Sequence, residues 1–163
     1  MRSKFDQQLA ALNQELTEMG ATCAQAIGLA AQALEQQDVA LAAPVGQLEE
    51  QTNEQERTIE ALCLKLLLQQ QPVARDLRQI SAALKMITDM ERIGDQADDI
   101  AEILLCRAGR PLSAGDTLRD MARATIRMVS ESVDAYVRQD VDLAQQVIAA
   151  DDEVDGYFDR IKA

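Results

Sequence analysis

Histidine is missing from this chain of 163 residues. Its absence removes Ser-His-Asp and Cys-His catalysis, HExxH zinc sites and the Glu-x-x-His ligands of ferritin-like di-iron bundles. Cysteine is scarce. Cys23, Cys63 and Cys106 are odd in number, far apart and without a C-x-x-C, so neither a disulfide framework nor a zinc knuckle is expected. Free Cys ordinarily packs as a small core residue, and all three are assigned to the core. Positive charge is in deficit, 16 Lys and Arg against 28 Asp and Glu for a net −12. That balance argues against gripping nucleic acid or anionic lipid over most of the surface and favours a basic partner or metal cations. No apolar run approaches the roughly 20 residues that span a bilayer. The start, Met1-Arg2-Ser3-Lys4-Phe5-Asp6, leads into no signal-peptide core, so a cytoplasmic location is expected.

Helix breakers are also few, seven Gly and three Pro, and the segments between them are rich in Ala, Leu, Gln, Glu and Arg. These are strong helix formers, and with 47 % apolar residues the chain can bury a core. From Phe5, a strict three-four alternation runs Leu9, Leu12, Leu16, Met19, Cys23, Ala26, Ala30, Ala33. It predicts one long amphipathic helix. Asp38 is placed to cap the next helix, which Pro44 either kinks or opens. A second stripe follows Val45, Leu48, Thr52, Gln55, Ile59, Leu62 and Leu66 and stops at Gln69-Gln70-Gln71-Pro72. The third follows Leu77, Ile80, Leu84, Ile87, Glu91, Gly94, Asp98, Ala101 and Leu105 and ends near Gly109-Arg110-Pro111. Long helices with this spacing and short turns pack nearly antiparallel, at about 20°. Residues 1–109 are therefore expected to close a first three-helix bundle. Two more helices, Leu118 to Val137 and Val141 to Ile161, follow in residues 110–163 and divide at Arg138-Gln139-Asp140.

The second part echoes the first. A shift of 102 residues pairs Met19 with Met121, Ala33 with Ala135, and Gln37-Asp38-Val39 with Gln139-Asp140-Val141. Leu41, Ala42 and Val45 then meet Leu143, Ala144 and Val147. A loop tripeptide and its flanking core positions in one register exceed what helical periodicity produces, so a duplicated helical unit is inferred. The second copy is expected to lack its third helix and so to expose Val133, Val137, Val147, Ile148 and Val154 unless another chain covers them.

Acidic and polar residues interrupt two of the stripes. Glu91 and Asp95 lie one turn apart, and Asp98 and Asp99 extend the same face, where like charges repel unless something neutralises them. On the second helix, Glu49, Glu50, Asn53, Glu54 and Glu56 do likewise. With the turn centred on Pro72, residues at equal height have numbers summing to 144, a condition met by Asn53 with Glu91 and by Glu49 with Asp95. Four oxygen-bearing side chains then share two adjacent levels of one helix pair, which suits hard or borderline cations. Asp151 and Asp155 repeat the spacing of Glu49 and Asn53 in the second copy. The competing reading of all these residues is a solvated acidic face.

The segments Gln71-Pro72-Val73-Ala74-Arg75-Asp76-Leu77-Arg78 and Glu91-Arg92-Ile93-Gly94-Asp95 resemble the Q-P-x-A-x-D-L-R turn and the E-R-I-G-D signature of the PhoU phosphate-uptake regulators. The resemblance implies an all-α fold of tandem three-helix bundles, the second lacking its third helix here. It also implies E(D)-x-x-x-D motifs that hold multinuclear iron or zinc through carboxylates; the candidate ligands in this sequence are Glu49, Asn53, Glu91, Asp95, Asp151 and Asp155. The function it implies is non-enzymatic and cytoplasmic: a negative regulator of phosphate-starvation signalling that links a phosphate ABC transporter to a sensor histidine kinase. Such proteins act as dimers or higher oligomers, reach the membrane only through partners and bind no nucleic acid. The alternative function is an acidic helical protein that stores or buffers metal without a signalling partner. A di-metal enzyme ranks lower, since such bundles normally mix imidazole with carboxylate. Arg75, Asp76 and Arg78 open the third helix, where Asp favours the helix N-terminus. Capping and partner docking are the two readings of that segment.

Overall fold

The computed structural model describes residues 2–107, 110, 113 and 115–163. Six helices account for nearly all of them: α1 (Arg2–Gln36), α2 (Val39–Ala42), α3 (Val45–Gln70), α4 (Ala74–Arg107), α5 (Gly115–Arg138) and α6 (Val141–Lys162). The expected junction near residue 109 lies outside the described residues. Pro44 precedes the first residue of α3 with helical φ and ψ, so it opens that helix and separates the short α2 from it. At the other end of α3, Gln71 adopts the left-handed conformation that ends a helix, and Pro72 prevents its resumption. The third expected helix runs unbroken as α4.

Helices α1, α3 and α4 run up, down and up. Gln8 accepts from Gln70 at one end of α1 and α3, and midway Cys23 Sγ donates to Met90 O across α1 and α4 at 3.3 Å. Burial pushes the Cys23 thiol up to about 12. Large side chains, among them Leu12, Leu16, Met19, Ile59, Leu66, Ile80 and Ile87, fill one half of the core. The other half is lined mainly by alanines, Ala26, Ala30, Ala33, Ala42, Ala97 and Ala101, with Val45, Leu48 and Leu104. Among the described residues, no helix is long and apolar enough to cross a membrane.

The seam of α4 differs from the expected one. The buried positions are Ile80, Ala83, Ile87, Met90, Gly94, Ala97, Ala101 and Leu104. Ile80, Ile87, Gly94 and Ala101 are buried as expected, whereas the positions drawn at Leu84, Glu91, Asp98 and Leu105 are taken by the preceding residues Ala83, Met90, Ala97 and Leu104. The periodicity is the same, and Leu77 and Leu105 are 44 % and 54 % exposed. On α3 likewise, Cys63 rather than Leu62 takes the fully buried position. Cys106 is exposed, contrary to the core assignment, because it follows the seam residue Leu104 by two positions, on the outward side of the last turn.

Helix α5 lies antiparallel along α1, with Arg119 at Glu35, Ile126 at Gly28 and Val133 at Gly20. Among the described residues, the backbone of helix α6 packs against α5. This arrangement corrects the expected apolar exposure. Val133 is 4 % exposed because the glycine at position 20 of α1 leaves room for its methyl groups, 3.0 Å from where a Cβ would stand. Val147 is buried too, Val137 and Val154 are half-buried, and Ile148 alone of the five stays exposed, at 75 %.

The two turns joined by the 102-residue shift are built alike. Gln37 and Gln139 have φ of 54° and 56°. In both, the following Asp donates its N–H to the alanine carbonyl five residues back, Asp38 to Ala33 and Asp140 to Ala135. Both glutamine amides donate to the carbonyl three residues back, that of Leu34 or Tyr136. Each Asp then caps the next helix, Asp38 by accepting from Ala40 N and Asp140 from Leu143 N.

Candidate metal centre of the α3–α4 hairpin

Glu49 and Asn53 project from α3 where Glu91 and Asp95 project from α4. One carboxylate oxygen from each of Glu49, Glu91 and Asp95 lies within 4.8 Å of the other two. Asp95 stands between the glutamates, close enough to share hydrogen bonds with both. Asn53 turns its amide to Glu49, donating from Nδ2 to Oε1 at 2.6 Å, which leaves its carbonyl oxygen available. All four side chains are half-buried. The expected level pairing of Glu49 with Asp95 is present, while Asn53 bridges along its own helix rather than across to Glu91.

The packed charges disturb one another. Burial, followed by the neighbouring Asp95, pushes the Glu91 carboxyl up to about 7. Burial raises Glu49 as well, with Asp95 and Asp98 adding to the effect and Asn53 opposing it. Glu56 is raised by burial, then by Glu60 and Asp95. Uncompensated carboxylates at this distance raise each other's pKa because neither ionised form is neutralised. A cation among them would reverse that effect, and a donor set of carboxylate and carboxamide oxygens fits a hard or borderline ion.

Two residues outside the expected ligand set hold the helices this close. Thr52 is fully buried on α3, its hydroxyl donating to Glu49 O at 2.7 Å. Gly94 faces it from α4. A Cβ on Gly94 would stand 3.2 Å from Thr52 Cβ and inside the van der Waals shell of its hydroxyl. The ligand pairs flank this crossing, Glu49 and Asn53 around Thr52, Glu91 and Asp95 around Gly94. The sequence signal for it was the Gly interrupting an apolar stripe, which marks a close approach of backbones.

Asp151 and Asp155 lie elsewhere. Both are exposed on α6, and Asp151 borders a cleft that Met86, Asp89 and Met90 of α4 also line. Among the described residues, Glu49, Glu91 and Asp95 are the carboxylates grouped closely enough to share an ion.

The PhoU domain family matches residues 16–104 and 118–163, both arms of the molecule and most of the chain. The chain belongs to the PhoU family. A protein of Pseudomonas aeruginosa described as a phosphate-specific transport system accessory protein PhoU homolog is 35 % identical over 157 residues, covering 95 % of this chain and 65 % of its own. A homolog with the same description from Clostridium acetobutylicum is 34 % identical over 98 % of this chain and 74 % of its own. PhoU of Escherichia coli is 31 % identical over 97 % of this chain and 66 % of its own. The crystal structure of PhoU from Pseudomonas aeruginosa superposes with a TM-score of 0.89 at 33 % identity, over 96 % of this chain and 76 % of that one. The chain thus spans just under two thirds of the length of the Pseudomonas aeruginosa relative. The all-helical PhoU fold is shared, and Gly94 and Asp95 of the E-R-I-G-D segment stand at the close α3–α4 crossing and among the clustered carboxylates.

Proposed function

We propose that this PhoU-family chain is a non-enzymatic, cytoplasmic negative regulator of phosphate uptake and phosphate-starvation signalling, linking a phosphate ABC transporter to its sensor histidine kinase. The observation that carries the reading is the family match over both arms, together with relatives described as phosphate transport accessory proteins. A chain without histidine and with an oxygen-only cluster is suited to holding an ion rather than to turning over a substrate. Within this reading, Glu49, Glu91 and Asp95, with Asn53 beside them, hold iron or zinc, and the ion ties α3 to α4. Two chains associate, and the regulator reaches the membrane-embedded transporter through its partners.

The test is made in the host. Removing the gene should raise phosphate-starvation reporter output in cells grown with ample phosphate, and the chain should co-purify with transporter and kinase when each is tagged. Reporter output that stays repressed in the deletion strain, or a chain that captures neither protein, would contradict the proposal.

A further inference from the structure

The end of the α3–α4 hairpin carries a surface that the carboxylate cluster does not explain. Four aliphatic side chains stand exposed on its two arms, Leu64 and Leu68 on α3, Val73 in the turn and Leu77 on α4. Leu68 is 79 % exposed and Val73 is 74 % exposed. Leu64 and Leu68 are four residues apart on α3, hence one turn apart on one face, and Val73 and Leu77 follow across the turn. Exposed aliphatics grouped in this way mark an interaction surface.

Charge at this end runs opposite to the rest of the molecule. Residues 61–88 hold four cations, Lys65, Arg75, Arg78 and Lys85, and one carboxylate, Asp76, in a chain whose net charge is −12. All four cations are exposed. Lys4 lies at the same end, since Gln8 of α1 bonds Gln70 of α3. The nearest carboxylates along the two arms are Glu60 and Asp89, with Asp6 on α1. Glu49 is nineteen residues of helix from Leu68, about 30 Å at 1.5 Å per residue, several times the screening length of about 8–10 Å at physiological salt. A surface approached by the tip meets the local positive charge and is screened from the acidic body.

We infer that the hairpin tip docks directly on an anionic lipid surface, with Leu64, Leu68, Val73 and Leu77 entering the headgroup–acyl boundary and Lys65, Arg75 and Arg78 meeting lipid phosphates. The features that select lipid are the aliphatic apex and the cations at the same level, the arrangement that interfacial segments use. This contact is independent of the regulatory reading above and adds to it a membrane contact made without a partner.

Because the chain contains no tryptophan, Leu68→Trp gives a single reporter at the apex. With vesicles of equal parts phosphatidylcholine and phosphatidylglycerol, its emission should shift to the blue and be quenched by brominated acyl chains. Vesicles of phosphatidylcholine alone should leave it unchanged. Sedimentation of the wild-type chain with the anionic vesicles should weaken about tenfold when salt rises from about 0.05 M to about 0.5 M, as screening requires. Leu68→Ser with Val73→Ser, and separately Arg75→Glu with Arg78→Glu, should each lose at least about fivefold in binding. Arg123→Glu on α5 should change it little, and circular dichroism should remain that of the wild type in every variant. Anionic vesicles that neither sediment the chain nor shift the reporter would overturn the inference and assign the tip to a protein partner. Equal binding by the serine variant and the wild type would overturn it as well.

Discussion

Gly94 and Thr52 set the spacing on which the carboxylate cluster depends. Adding one methyl group at Gly94 has nowhere to go except into the buried Thr52 side chain. Gly94→Ala should therefore cost about 1–3 kcal/mol of unfolding free energy, the usual range for overpacking. Thr52→Ala in the same chain should recover part of the loss. Denaturant titration measures both, and an undiminished midpoint in Gly94→Ala would show that the crossing has slack. Glu91 supplies a second expectation at this scale. Its folded carboxyl, at about 7 against an ordinary 4.5, keeps a proton that the unfolded chain has already released between those values. Stability from this group is complete below the unfolded value and is lost as pH rises towards 7, since the native state there binds more protons than the unfolded one. In chelator-treated protein the denaturation midpoint should fall across that window, and Asp95→Asn should flatten the fall. A midpoint that climbs with pH there would contradict this assignment.

Helices α3 and α4 meet as a lever pair whose contact a bound cation would strengthen. An ion that binds only where Glu49, Glu91 and Asp95 converge stabilises the folded state by mass action. Melting temperature should rise on adding Fe, Zn or Mn. Glu91→Asn with Asp95→Ala should abolish that rise and leave the helices intact, because removing like charges does not unfold a packed bundle. If the double variant shows the same metal-induced shift as the wild type, the acidic face is solvated surface. At the α5–α6 turn, Asp140 starts α6 by accepting from Leu143 N. Asp140→Ala should cost about 1 kcal/mol, the ordinary value of an N-cap, as read by thermal unfolding. An unchanged melting curve would mean that packing on α5, rather than the cap, fixes where α6 begins.

The molecule is unevenly supported. Helices α1, α3 and α4 enclose a shared core, α5 leans on α1, and, among the described residues, α6 makes its backbone contacts with α5. Helices with a single neighbour open first, so the amides of residues 141–162 should exchange with deuterium well before those at the middle of α1 and α4. Uniform protection along the chain would instead point to something covering α6. The exposed Ile148 and Val141 near the start of α6 are surfaces that a second copy would bury. Sedimentation in the ultracentrifuge should accordingly find a dimer or higher oligomer, and a well-folded monomer at high concentration would count against the dimer.

Periodicity and helix-breaker positions sufficed to specify the helices, because a three-four stripe and the placement of Pro44, Pro72 and Asp38 act through neighbours a few residues away. The Gln-Asp-Val turns were legible for the same reason, since their hydrogen bonds reach back only three and five residues. The meeting of Glu49 with Asp95 could be read from hairpin register alone, because a short turn couples the heights of its two arms. Side-by-side packing carries no such local code. Which of two adjacent positions on α4 turns inward depends on the helices facing it, and Ala83, Met90, Ala97 and Leu104 take those places from Leu84, Glu91, Asp98 and Leu105. Likewise the burial of Val133 was decided by a glycine 113 positions earlier in the chain. The exposure of Cys106, Asp151 and Asp155 follows from what does not pack against α4's last turn and α6, and only the tertiary arrangement fixes that.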